Sequence, residues 1–194
     1  MKRVCIFCAS SQLVAQQYID AARRTAQIFV ENGWAINYGG GAVGLMGAVA
    51  DQAVAMGGAI KSIIPQFMVD QHWHNPKVRD MEVTTTMSER KARLVADVDA
   101  VVALPGSTGT LDELFEVVSD KKLGLFTKPI VVLNTNGFYD NLKKQLQLML
   151  DEHFMSANHL TVLEFVDAPE QILPAIDEMG ETDSALALAT AQTK

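Results

Sequence analysis

The residues whose types and spacing are best suited to chemistry lie in VVALPGSTGTLDELFE, residues 101–116. An apolar run ends in Pro105-Gly106, a loop of small residues follows, and an acidic run of helical period begins. Glycine lets a backbone approach an anion closely. The start of a helix adds unpaired N–H groups and the positive end of a dipole. Gly106, Ser107, Thr108, Gly109 and Thr110 are therefore a candidate phosphate cradle. A second glycine turn, YGGGAVGLMG at 38–47, offers Gly40 and Gly41 in the same role. Neither is a P-loop, because no G-K-[ST] follows. The second turn follows the second apolar run, whereas a dinucleotide fingerprint belongs to the first strand–helix turn. Two such turns in one chain point to a phosphate-bearing ligand; a pair of tight turns is the plain alternative.

Glu113 has two readings. Thr110-Leu111-Asp112-Glu113 fits the capping box S/T-x-x-E, in which the glutamate reaches back to the N-cap amide. Spacing alone favours that cap. The chemical reading puts phosphate on the amides near Gly109 and Thr110 and turns the carboxylate toward a sugar, where it can stabilise positive charge.

Other reactive types are less well organised. Cys5 and Cys8 form C-x-x-C without a second pair of ligands for zinc. They lie inside an apolar, strand-like run, which suits buried thiols in a reducing cytosol. His72 and His74, in HWH, lack a carboxylate or cysteine spaced to complete a metal site. Their loop either partly covers a ligand or has no role. His153 and His159 flank a helix end. No metal and no cofactor is expected. Met46, Met56, Met149 and Met155 read as core filler.

Apolar β-type runs alternate with helical periods along the chain. Strands are expected at RVCIFCA, WAINYGGG, AIKSIIP, AVVALPG, PIVVLN and TVLEFVD. Helices are expected over 16–32, GLMGAVADQAVAMGG, MSERKARLVADV, 110–123, YDNLKKQLQLMLDEHF and PEQILPAIDEM. Residues 65–86 form the longest irregular stretch. This alternation implies an α/β fold, a doubly wound parallel sheet with helices on both faces. Ligands of such sheets sit outside the carboxyl ends of the strands, where the strand order reverses. With 194 residues, 48% hydrophobic and 20% charged, the chain suits one domain over residues 1–179 and an Ala- and Thr-rich tail over 180–194. A net charge of −7 argues against nucleic-acid binding. No apolar run is long enough to span a bilayer, and MKRVCIFCASS reads as a first strand, not a signal peptide. A cytoplasmic protein is expected.

Four motifs together resemble one family. MSERKARL at 87–94 and PGSTGTLDE at 105–113 are similar to M-x-x-R-K and P-G-G-x-G-T-x-x-E of the LOG ("lonely guy") family. CIFCASS and YGGGAVGLMG resemble its C-x-F-C-G-S-S and Y-G-G-G-x-x-G-L-M-G. The resemblance spans roughly residues 3–178. It implies a Rossmann-like fold and a homodimer or larger homo-oligomer without a metal. The implied activity is hydrolysis of the N-glycosidic bond of a nucleoside 5′-monophosphate, AMP or a cytokinin riboside monophosphate, to free base and ribose 5-phosphate. Arg90 and Glu113 fall on the family's catalytic pair. Lys91 and the loop from Gly106 to Thr110 fall on its nucleotide-binding positions, and Met87, with Trp73 and Phe67, is a candidate for the apolar lining around a base. Ser107 replaces the second glycine of P-G-G, a substitution that disfavours positive φ. Ala9 replaces a glycine, Ser88 stands where many relatives have histidine, and Asp112 replaces glutamate. Asp112 and Glu116 are candidate proton donors to the leaving base. Two other readings remain: a non-catalytic carrier of a nucleotide or phospho-ligand on the same fold, and the family's older decarboxylase label. The latter chemistry usually uses pyridoxal phosphate on a lysine, and no segment argues for such a site.

Overall fold

The computed structural model describes residues 1–182. Seven parallel strands form one sheet in the order β4-β3-β2-β1-β5-β6-β7. They are β1 (Arg3–Phe7), β2 (Ala35–Tyr38), β3 (Ile60–Pro65), β4 (Asp80–Thr84), β5 (Ala100–Ala103), β6 (Ile130–Leu133) and β7 (Glu164–Val166). The helices are α1 (Gln16–Glu31), α2 (Gly44–Ala55), α3 (Gln66–Asp70), α4 (Met87–Val95), α5 (Thr108–Lys122), α6 (Asp140–Asp151) and α7 (Ile172–Met179). The chain starts in the middle of the sheet and winds outward to β4. It then crosses back through α4 to place β5 beside β1, and winds outward again to β7. The strand order reverses between β1 and β5.

The central strands are apolar on both faces because helices cover both. Val4 and Ile6 of β1 join one core with Ala26 and Phe29 of α1, Val49 and Ala53 of α2, and Ile176 of α7. Cys5 and Phe7, the alternate residues, join a second core with Leu94 of α4 and Leu114 and Val117 of α5. This is the side-chain period of two expected along a strand. β5 and β6 are therefore continuous hydrophobic runs, β1 is apolar after Arg3, and β2 is interrupted only by the buried Asn37, much as parallel sheets require. Cys5 and Cys8 are both buried, and burial, followed by the nearby Glu113 carboxylate, pushes both thiols up. They are packing residues, not a redox pair.

The stretch at 65–86 is more ordered than its sequence suggests. It contains the short helix α3 and the edge strand β4, which pairs with β3 from Lys61↔Asp80 to Pro65↔Thr84. β4 eluded the sequence reading because DMEVT is mostly exposed, with only Thr84 buried. Its charge instead joins the sheet's edge: Glu82 pairs with both Lys61 of β3 and Arg93 of α4. Charged side chains on an edge also discourage pairing with another chain. No helix among the described residues is long and apolar enough to cross a membrane. The expected tail lies outside the described residues from 183 onward; Thr182 itself donates its N–H to the Thr127 carbonyl.

Candidate active site

Arg90 on α4 and Glu113 on α5 meet at the carboxyl ends of the strands. Arg90 Nη1 donates to Glu113 Oε1 at 2.8 Å, and the two side chains are only 6% and 7% exposed. Arg90 Nε donates to the Ile63 carbonyl and Nη2 to the Gly39 carbonyl, each at 3.2 Å. A planar guanidinium presents donors in a fixed fork. Here the fork takes one carboxylate, the carbonyl of Gly39 just past the end of β2, and the carbonyl of Ile63 within β3. Gly39 makes this possible: a Cβ on it would lie 2.1 Å from Arg90 Nη2.

Such burial perturbs the acid. Desolvation raises the Glu113 carboxyl above its ordinary value, and the Arg90 charge pulls it partly back. A carboxylate held closer to neutrality suits a group that takes a proton from water. Removing one partner of a buried pair typically costs about 3–5 kcal/mol, because the other charge is left uncompensated.

The capping-box reading of Glu113 is overturned. The helix begins two residues earlier than expected, at Thr108, with Ser107 as its N-cap. Glu113 is then the sixth helical residue and is beyond reach of the cap amide. Its side chain turns inward to Arg90 instead. Ser107 has φ −95°, so serine fits without the strain that replacement of a glycine suggests. The first helical bond runs from the Leu111 N–H to the Ser107 carbonyl. The N–H groups of Thr108, Gly109 and Thr110 therefore precede the intrahelical ladder and face outward at the positive end of a 15-residue helix. Gly106 lets this turn close, since a Cβ there would meet Thr110 Oγ1 at 2.1 Å.

The glycine turn at 38–47, the first along the chain, has a different job. The Ala42 N–H donates to the Trp73 carbonyl, Gly40 accepts from the Asn75 N–H, and Gly41 bridges to His74. At the start of α2, the Met46 N–H is taken by the Ala9 carbonyl. Gly40 and Gly41 thus commit much of their backbone to the HWH loop and line a wall. That wall bounds a cavity of about 590 Å³, whose lining includes Gly39, Gly41, Met46, Met68, Trp73 and Arg90. Its size is within the range of small-molecule sites.

The structure brings together Arg90, Glu113, the α5 start and the 39–41 turn. Lys91 is directed elsewhere: its ammonium bridges Asp112 at 3.1 Å and Glu116 across to α5. Both candidate proton donors are therefore engaged with Lys91 in a rim of ion pairs. Met87 begins α4 at 40% exposure and Phe67 is also exposed; neither lines the cavity, whereas Trp73 does. Tyr139 is a supporting residue that sequence reading missed. It is buried, donates its hydroxyl proton to the Leu104 carbonyl at 2.8 Å, and shares a hydrogen bond with the Gly106 backbone. In sequence it reads only as the first residue of an amphipathic helix. Among the described residues, no group of histidines, cysteines or carboxylates is arranged to hold a metal.

A larger groove of about 800 Å³ lies at the other side of the fold, near β7 and α7. It contains Lys121, a buried lysine whose ammonium burial lowers to about 8 and whose Nζ donates to the Lys128 carbonyl. A lowered lysine is the type that forms Schiff bases. Here, however, its neighbours in the groove include Glu164, Asp167 and Glu178, and Lys121 is the one cation among the described lining residues. That environment repels a cofactor phosphate, so the groove does not fit pyridoxal phosphate chemistry.

Comparison with known proteins shows the family. The family model described as "Possible lysine decarboxylase" matches residues 46–176. Cytokinin riboside 5′-monophosphate phosphoribohydrolase LOG2 of Arabidopsis thaliana is 37% identical over 178 residues, covering 91% of this chain and 83% of the relative. LOG5 of the same plant, of the same name and activity, is 37% identical over 168 residues, covering 87% and 73%. The chain belongs to the LOG family. A molybdenum cofactor binding protein from the phototrophic bacterium Rippkaea orientalis superposes with a TM-score of 0.70 at 19% identity, covering 92% of this chain and 98% of that one. At that identity the likeness concerns the Rossmann-type fold alone.

Arg90→Lys is expected to lower kcat/KM about 100-fold in any reaction carried at this site, because a point charge cannot serve Glu113 and two carbonyls at once. Steady-state kinetics on the purified variant, with thermal unfolding as a control, make the measurement. Wild-type kcat/KM would mean that Arg90 only packs.

Proposed function

We propose that this chain hydrolyses the N-glycosidic bond of a nucleoside 5′-monophosphate, AMP or a cytokinin riboside monophosphate, releasing the free base and ribose 5-phosphate. The observation that carries the proposal is the buried Arg90–Glu113 pair placed between an open helix start and a cavity. Each part answers a need of the reaction. Breaking a ribosyl–base bond builds positive charge on the sugar, as in glycoside hydrolysis. Glu113 supplies the opposing negative charge in a dry setting where it is worth most. Phosphate is assigned to the amides of Thr108, Gly109 and Thr110, and the base to the side of the cavity walled by Met46, Met68 and Trp73.

The steps balance as follows. Water attacks C1′, the C1′–N bond breaks, and the base leaves with the bonding electrons. The water proton passes to the Glu113 carboxylate, whose raised affinity for protons suits it to receive one. The departing base takes a proton from solvent, and Glu113 returns the proton it received to solvent, so the carboxylate is regenerated and the protons balance. Arg90 holds Glu113 in the orientation this transfer needs and compensates its charge. The same reading includes Lys91 as part of the phosphate surround once Asp112 and Glu116 share it with substrate. It also includes assembly as a homodimer or larger oligomer working in the cytoplasm, where both thiols stay reduced.

Glu113→Gln separates hydrolysis from binding. The glutamine oxygen still accepts from Arg90, so the fold and AMP affinity persist, while adenine release falls by about 1,000-fold. Calorimetric titration with AMP and chromatography of free adenine measure the two. Near wild-type turnover would remove Glu113 from the chemistry. A wild-type protein that binds AMP and never releases adenine would instead support the carrier reading.

Removing the 5′-phosphate from the substrate is expected to lower kcat as well as raise KM, since remote binding energy orients the reacting centre. At −7 net charge the protein does not attract anions generally. The effect must come from local donors and should persist in moderate salt, where long-range fields are screened. AMP and adenosine compared at equal concentration measure it. Equal rates would refute the cradle at the α5 start.

A further inference from the structure

We infer that Asn75 is a positioning residue for the nucleotide site, the clamp that locks the HWH loop onto the first glycine turn; this rests on the hydrolase reading above. Asn75 makes no contact with the proposed reacting atoms. It is a polar side chain only 4% exposed in a loop that is mostly exposed. Buried polar groups of this kind are retained where their hydrogen bonds fix a geometry. Both polar atoms of its side chain and its backbone N–H are bonded. Its backbone N–H donates to the Gly40 carbonyl at 2.9 Å. Its Nδ2 donates to Asp51 Oδ1 of α2 at 3.0 Å, and its Oδ1 accepts the Lys77 N–H at 3.0 Å. Lys77 Nζ closes the ring on the other Asp51 oxygen at 2.7 Å.

Two walls of the cavity depend on this knot. On one side, the residues just before Asn75 are held along the glycine turn. Trp73 accepts the Ala42 N–H and His74 bridges to Gly41, which puts Trp73 and His72 on the cavity lining. On the other side, Gly40 is followed back by Gly39, whose carbonyl receives Arg90 Nη2. A chain of direct contacts therefore runs from Asp51 through Asn75, Gly40 and Gly39 to Arg90 and on to Glu113. His72 has φ 59°, so the loop turns sharply at the residue that precedes Trp73. A segment so turned needs an anchor close by, and Asn75 is that anchor. Displacing it moves the catalytic pair and the base wall together. A misplacement of about 1 Å costs up to about 100-fold in rate.

The test uses hydrogen-bond polarity. Asn75→Asp keeps the acceptor for Lys77 N–H but sets a carboxylate against Asp51. Adding Asp51→Asn returns a donor to the pair. With AMP as substrate, Asn75→Asp is expected to lower kcat at least about tenfold, more than it raises KM, and the double variant to recover most of the loss. Hydrogen exchange of the peptide spanning 39–46 is expected to speed up in the single variant and slow again in the double. Should Asn75→Asp fail to fold, Asn75→Ser, which drops the Asp51 bond without adding charge, is read the same way. Wild-type kcat in the single variant, or no recovery in the double, overturns the clamp. A wild-type protein that does not cleave AMP overturns the hydrolase reading instead, and the exchange data alone then judge the clamp: restored protection supports it and unchanged protection refutes it.

Discussion

A charged pair buried where two helices meet the ends of a sheet is the constraint from which the rest of this site follows. Ions of this kind are costly to desolvate, and they persist only when further hydrogen bonds complete them. Arg90 gets those bonds from the carbonyls of Gly39 and Ile63, which lie just beyond the last β2–β3 pair, Tyr38↔Ser62, so β2 must end where it does. Position 39 must lack a side chain for the guanidinium to enter. Outside the pair, Lys91 with Asp112 and Glu116 repeats the same α4–α5 pairing at the rim. The inner layer is dry and the outer is wet. Both tie α4 to α5, one inside the fold and the other at its surface.

The two glycine turns look alike in sequence and divide the labour in space. One is a helix start whose amides are open because the N-cap is a serine two residues before Gly109 and makes no side-chain cap bond among the described residues. The other spends its polar groups on the HWH loop and on Ala9. An open helix start and a cavity wall are thus built from the same local chemistry. What separates them is what the neighbouring loop donates.

Fold class was readable because the strands are short apolar runs between strongly periodic helices, and both signals are local. β4 was not readable, because an edge strand with one buried residue carries no apolar run. The motif around Glu113 was readable as important and misread in detail. S/T-x-x-E spacing is a property of four residues, whereas the actual helix start depends on how Gly106 folds against Thr110. Lys91 was placed with the ligand by resemblance, and only the crossing of α4 over α5 shows its two acidic partners. Tyr139 and Asn75 were invisible for the same reason. Each acts across more than 20 positions of sequence, Tyr139 on Leu104 and Asn75 on Asp51, where no periodicity can register it.

The order of the strands has a consequence for the life of the chain before it is finished. β1, β2 and β3 are neighbours in both sequence and space, and can pair early. The site needs more: α4 must cross back over the sheet, and α5 must dock after β5 has found β1 on its far side. Contacts of long sequence separation close late in folding. Glu113 therefore meets Arg90 only when both halves of the sheet have joined. A growing or half-folded chain holds glycine turns but no assembled pair, so the buried ion pair arrives together with the native fold and not ahead of it.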